Sequence, residues 1–86
     1  MTETPPGMTQ SLTQRVAAEV RAEVARQNVT QFELARILEI AQPSVSRRLN
    51  GKHPFDTDEL DKLAAAFGVP VDRFLRAPLS LIAGAA

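Results

Sequence analysis

The sequence predicts an all-α fold, a compact bundle of about five short helices. Three observations point there. Apolar residues recur every three or four positions over 11–27, 30–38 and 56–67, the spacing that lines one face of a helix. Ser11 with Gln14, Thr30 with Glu33, and Asp56 with Glu59 each set a capping oxygen three residues ahead of a Gln or Glu, the pattern that opens a helix. Asn28, Gly51 and Gly68 follow these runs where a left-handed residue can end one.

The chain has 86 residues, which suits one small domain and leaves no room for a catalytic or ligand-sensing unit. We divide it into a disordered lead-in at 1–10, a helical domain at 11–77 and an apolar tail at 78–86. Formal net charge is zero, which argues against a generic polyanion binder. The distribution is more informative. Arg47, Arg48 and Lys52 precede Asp56, Asp58, Glu59 and Asp61, so a basic face lies beside an acidic one and any polyanion binding would be focused. Cysteine is absent, which excludes disulfides and thiolate metal sites and fits a reducing cytoplasm. The N-terminus lacks the basic start and apolar run of a secretory signal. No apolar run approaches the ~20 residues of a membrane span.

In the first helix, Leu12, Val16, Val20 and Val24 fall every four residues with Ala17 beside them, and all are expected to face inward. Arg15, Glu19, Arg21, Glu23 and Arg26 form the polar face, read as the solvated side of a scaffold helix or as a dimer surface. The second helix opens at Thr30 and turns Leu34, Ala35 and Leu38 inward, and Val29 can staple against Leu34. Its periodicity breaks at Glu39-Ile40-Ala41. A third helix over 42–50 then buries Val45 and Leu49 and stops at Gly51. Pro43, Ser46, Arg47 and Asn50 lie on its other face, with Gln42 projecting from the N-terminal end. No acid occurs between Ala41 and Phe55. A short polar helix free of negative charge and held by a helical partner has the shape and charge to enter a DNA major groove.

Here the residues resemble a family. Thr30-Gln31-x-x-Leu34-Ala35-x-x-Leu38, a three-residue joint, and Gln42-x-Ser44-Val45-Ser46-x-x-Leu49-Asn50-Gly51 are similar to the helix-turn-helix of lambda-repressor-like and Cro-like (Xre-type) regulators. The resemblance runs on to about Leu75 through Pro54-Phe55, Asp58-Glu59-Leu60 and Ala66-Phe67-Gly68-Val69-Pro70. It implies a lambda-repressor-like DNA-binding domain. Two positions depart from the pattern. Glu39 stands where the family usually has a glycine, at a cost of about 1–2 kcal/mol if its φ is positive. Arg48 stands where a buried apolar residue is common, and its guanidinium either snorkels outward, toward DNA, or pairs with an acid of the next helix.

Beyond Gly51, Pro54 and Phe55 read as a loop pinned to the core by the ring. His53 is the one histidine and has no Cys or paired acid at ligand spacing, so it is not read as a metal ligand. The fourth helix buries Leu60, Leu63, Ala64 and Phe67, and its acids suit the positive end of the helix dipole. Pro70 can start a short fifth helix with Val71, Phe74 and Leu75 inward. Leu79, Leu81 and Ile82 lie in the tail, which reads as a docking or dimerisation segment, a degradation tag or a flexible end.

No Ser/His/Asp grouping on a recognisable elbow, no phosphate loop and no metal-ligand spacing is present, so the expectation is a binding protein with no enzymatic activity, cofactor or small-molecule ligand. The resemblance places Gln42, Pro43, Ser44, Ser46 and Arg47 at base-reading positions. Gln42 suits adenine N6 and N7, Arg47 suits guanine O6 and N7, and Pro43 suits a thymine methyl or simply a first helical turn. Gln31 falls at a phosphate-contacting position, with Asn50, Lys52 and His53 as further phosphate candidates; His53 reads equally well as an exposed loop residue. The function implied is a sequence-specific transcription regulator, a small phage or bacterial repressor or Cro-like protein of the host cytoplasm or nucleoid. It would bind a palindromic double-stranded operator as a homodimer, with no membrane partner. The alternative is an interaction module of the same fold, antitoxin-like or anti-repressor, that does not read DNA.

Overall fold

Three of the four described α-helices begin where a side chain accepts the first free N–H groups, and all four end beside a residue that turns left-handed. The structure, a computed structural model, describes residues 11–76; the lead-in at 1–10 and the tail at 78–86 lie outside them. Within that range run α1 (Leu12–Gln27), α2 (Gln31–Leu38), α3 (Gln42–Leu49), α4 (Thr57–Phe67) and a 3-10 turn, η1 (Val71–Leu75). Ser11, Thr30 and Asp56 open α1, α2 and α4, each through a complete capping box with Gln14, Glu33 and Glu59. The closing residues are Asn28 at φ 57, Glu39 at φ 59, Gly51 at φ 74 and Gly68 at φ 70.

After each stop the next N–H reaches back into the last turn of its helix. Val29 donates to Val24 O at 3.1 Å, Ile40 to Ala35 O at 3.1 Å, Lys52 to Arg47 O at 2.9 Å and Val69 to Ala64 O at 3.0 Å. These are the bonds of a Schellman stop, which satisfy carbonyls the helix leaves free. Val29, Ile40 and Val69 also pack against the core, so three of these stops are pinned by an apolar side chain. Lys52, at the end of α3, is exposed instead.

The core draws Val16 and Val20 from α1, Leu34 and Leu38 from α2, Val45 and Leu49 from α3, and Leu60, Leu63 and Phe67 from α4. Phe74 of η1 is fully buried and meets Phe67 edge-on, with centroids 6.4 Å apart and planes at 70°. Each large side chain buried this way is worth roughly 1.5–3 kcal/mol relative to exposure. α1 packs against both α3 and η1, α2 against both α3 and α4, and α4 against η1.

Several positions differ from the sequence expectation. The fifth element is a 3-10 turn whose N-cap is Pro70, and only Phe74 of its three expected inward residues is buried; Val71 and Leu75 are 42% and 45% exposed. A five-residue turn has too little surface to bury three large side chains. Leu12 is 52% exposed because it opens α1, ahead of the turn that first reaches the core. Glu23, assigned to the solvated face, is 3% exposed. Its Oε1 accepts from Arg26 Nη2 at 2.9 Å and Arg73 Nη1 at 3.2 Å, and its Oε2 accepts from Gln27 Nε2 at 2.9 Å. Gln27 also donates to Phe67 O at 2.9 Å. One carboxylate thus ties the end of α1 to η1, and its neighbour Gln27 ties α1 to the end of α4.

The Gln27 amide and then the Arg26 guanidinium hold the Glu23 carboxyl below the ordinary carboxylate range, with the charge of Arg73 adding to them and burial opposing them. A carboxyl whose folded pKa is depressed stabilises the protein above its unfolded value, and that contribution is lost as pH falls through the folded value. Glu23→Gln is therefore expected to lower the urea midpoint at pH 7. The gap to wild type should narrow as pH drops below about 4, the ordinary carboxylate pKa. Urea titrations at the two pH values measure this, and a gap that widens in acid contradicts it.

Candidate nucleic-acid interface

α2 and α3 are joined by three residues, and their backbone sets the angle between the helices. Glu39 takes the left-handed conformation, φ 59 and ψ 44, in agreement with the positive φ considered for this departure from the glycine pattern. Its side chain reaches Lys62 Nζ of α4 at 3.4 Å in an exposed pair. Ile40 packs on the core, and Ala41 is extended at φ −71 and ψ 150 as the N-cap of α3. α3 is the one described α-helix without a side-chain cap, and Pro43 in its first turn has no N–H to offer.

Val45 is fully buried and Leu49 is 6% exposed, which turns the opposite side of α3 outward. Gln42, Pro43, Arg47 and Asn50 are exposed, whereas Ser44 and Ser46 are half-buried. Asn50 is the C-cap, so the helix ends one residue before the expected limit. The two serines bond within the helix: Ser44 Oγ accepts from Arg47 Nη2 at 3.3 Å, and Ser46 Oγ lies 3.5 Å from Asn50 Nδ2. Arg47 and Lys52 form no ion pair among the described residues.

Lys52 and His53 wrap the end of α3. Both backbone N–H groups donate to Arg47 O, at 2.9 and 3.3 Å, and both side chains are exposed. His53 Nδ1 sits 2.9 Å from Pro54 O, a carbonyl that can only accept, so Nδ1 carries the proton. Gln31 is exposed as the first residue of α2. The base-reading and phosphate candidates thus occupy the outer side of α3, the loop after it and the start of α2.

Two ties that hold α3 from behind had different visibility in the sequence. Arg48, left open between DNA and an acid, donates from Nε to Glu59 Oε1 at 2.9 Å. Arg21 of α1 donates from Nη1 to the Leu49 carbonyl, a contact with no signal in the alternating charges of α1.

The helix-turn-helix family profile matches residues 20–74. That is well over half of the chain, so the chain belongs to the helix-turn-helix family, a family of DNA-binding regulators and not of enzymes. Among solved structures it is similar to a hypothetical transcription factor, NHTF, from Neisseria, with a TM-score of 0.73 at 24% identity over 96% of this chain and 93% of that one. That likeness is one of fold. No curated protein matches the chain. Among the described residues no helix is long and apolar enough to cross a membrane.

The two left-handed residues that flank α3, Glu39 and Gly51, respond oppositely to substitution. Glu39→Gly should raise stability by about 1 kcal/mol, because a side chain at positive φ is strained and the exposed pair with Lys62 is worth little. Gly51→Ala should lower stability by about 1 kcal/mol or more, since an added Cβ would be strained at positive φ and would meet Gln14 Cγ at 3.3 Å. Urea unfolding measures both; a destabilised Glu39→Gly would contradict the strain at the joint.

Proposed function

We propose that this chain is a sequence-specific transcription regulator that occupies double-stranded operator DNA by setting α3 into the major groove. The observation that carries this reading is the outward side of α3. Gln42 and Arg47 are exposed there, and among the described residues no carboxylate pairs with Arg47. Gln42 reads adenine through N6 and N7, Arg47 reads guanine through O6 and N7, and Pro43 touches a thymine methyl. Ser44 and Ser46 line the same surface, with Ser44 holding the Arg47 guanidinium. Gln31, Asn50, Lys52 and His53 contact phosphates and fix the register. The uncapped start of α3 is also favourable for a phosphate oxygen.

One such helix reads few base pairs, so we assign a two-fold dimer on palindromic half-sites about 34 Å apart. The pairing surface we favour includes Val71 and Leu75, the exposed apolar residues of η1. A protein-interaction module of the same fold is the second reading. It is favoured by Phe32, 57% exposed, beside an open groove of about 440 Å³ that Ile40 also lines.

Selection of bound sites from random duplex DNA tests specificity, palindromy and spacing together. On the selected site, Arg47→Ala should cost about 1–3 kcal/mol and relax the preference at one base position. Lys52→Ala should weaken all sequences alike and reduce the slope of log K against log salt by about 1. A protein that selects no site, or whose binding neither change affects, belongs to the second reading.

A further inference from the structure

The ion pair behind α3 has a geometry that bears on how the helix meets DNA. Arg48 and Glu59 are nearly withdrawn from solvent, with side chains 13% and 9% exposed. Arg48 Nε donates to Glu59 Oε1 at 2.9 Å, and its Nη1 donates back to Ser44 O of its own helix at 3.2 Å. The same Glu59 Oε1 accepts the Asp56 N–H at 3.0 Å, while Asp56 Oδ1 accepts the Glu59 N–H at 2.7 Å. A single carboxylate oxygen therefore serves both the cap of α4 and the guanidinium of α3.

The other anchors of α3 act elsewhere. Val45 and Leu49 set how deeply it sits, and Arg21 holds its last carbonyl. Successive residues of a helix are about 100° apart, so Arg48 braces a flank that neither apolar side chain occupies. The brace resists rotation of α3 about its own axis, the motion that would sweep Gln42 and Arg47 across the base edges. It also closes the loop that carries Lys52 and His53, because that loop leaves α3 through bonds to Arg47 O and enters α4 at Asp56.

We infer that Arg48 and Glu59 are positioning residues for DNA reading: they fix the rotation of α3 and the path of the following loop without touching the nucleic acid. The inference rests on the proposed DNA reading. A buried ion pair adds little net stability over uncharged groups of similar size. The pair's effect thus lies in where α3 is held more than in how firmly the domain folds.

The test is the double variant Arg48→Met/Glu59→Gln. It removes both charges and keeps the long stem at 48 and an amide oxygen for the Asp56 N–H at 59. We expect a urea midpoint near wild type and an affinity for the selected duplex reduced about tenfold. Affinity for a scrambled duplex and the salt slope should not change. A slope smaller by about 1 would make Arg48 a phosphate contact and overturn the inference, as would unaltered affinity for the selected duplex. Amide hydrogen exchange of the free protein gives a reading that does not depend on DNA. Faster exchange at Val45 to Leu49 with unaltered global stability supports the brace, and unaltered exchange removes it. If wild type selects no duplex, the DNA reading falls while the exchange measurement still decides whether the pair positions α3.

Discussion

α3 has eight residues, too few to be helical on its own. It has no side-chain cap, a proline in its first turn and a C-terminal stop with no apolar pin. Its stability and placement must come from what packs behind it, and much of the described structure serves that need. Val45 and Leu49 sit in the core that α1, α2 and α4 build. Arg21 of α1 takes its last carbonyl and Glu59 of α4 takes Arg48. The left-handed turn at Glu39 then sets the direction from which α3 leaves α2.

The helix ends show the same division of labour. α1, α2 and α4 open with reciprocal capping boxes, and each closes on a left-handed residue followed by an apolar side chain packed on the core. α3 departs at both ends. At its start, the capping position holds Ala41, whose methyl group accepts no hydrogen bond. At its end, Lys52 stands where the other helices have Val29, Ile40 and Val69. The backbone of that stop is retained, since Gly51 turns left-handed and Lys52 N–H still reaches Arg47 O. Only the side chain has been changed from one that docks to one that faces solvent. Local rules broken on one element while its neighbours obey them mark a surface shaped for something other than stability.

Much of this was legible because its causes are local. A capping box needs only two residues at a fixed spacing, and a left-handed stop needs only Asn or Gly, so Ser11, Thr30, Asp56, Asn28, Gly51 and Gly68 are all readable from the chain. The in-register run from Thr30 to Gly51 made the turn at Glu39 readable even without glycine. Long-range polar ties were harder to read. Glu23 falls seven residues after Val16, on the buried side of α1, but its charge assigned it to the polar face; its carboxylate is satisfied there by Arg26 and Gln27 and by Arg73, which is distant in sequence and left no signal. Leu12 and Leu75 carry apolar side chains at helical spacing, but they fall at element ends, where periodicity continues and the core does not. Of the candidate interface, composition exposed the acid-free window, while the bonds of Ser44 and Ser46 within α3 depended on coordinates.

Zero net charge is compatible with a basic interface because the charge is unevenly placed: Arg47, Arg48 and Lys52 fall in a stretch, Ala41 to Phe55, that holds no acid. Glu23 engages Arg26 and Arg73, and Glu59 engages Arg48. These acids neutralise arginines inside or along the body of the domain. Arg47 and Lys52, on the outer side of α3 and just beyond it, take part in no ion pair among the described residues. Asp58 and Asp61 are exposed on α4, but they lie on the element behind the brace and form no ion pair with these cations. A formal charge sum weights every residue equally, whereas a polyanion meets only the cations that the fold leaves outward. Attraction confined to a few cations gives little non-specific affinity, so under the proposed DNA reading discrimination rests on base contacts made by a helix held in one orientation. On that reading, a buried ion pair behind α3 has a use where an apolar side chain would serve stability as well.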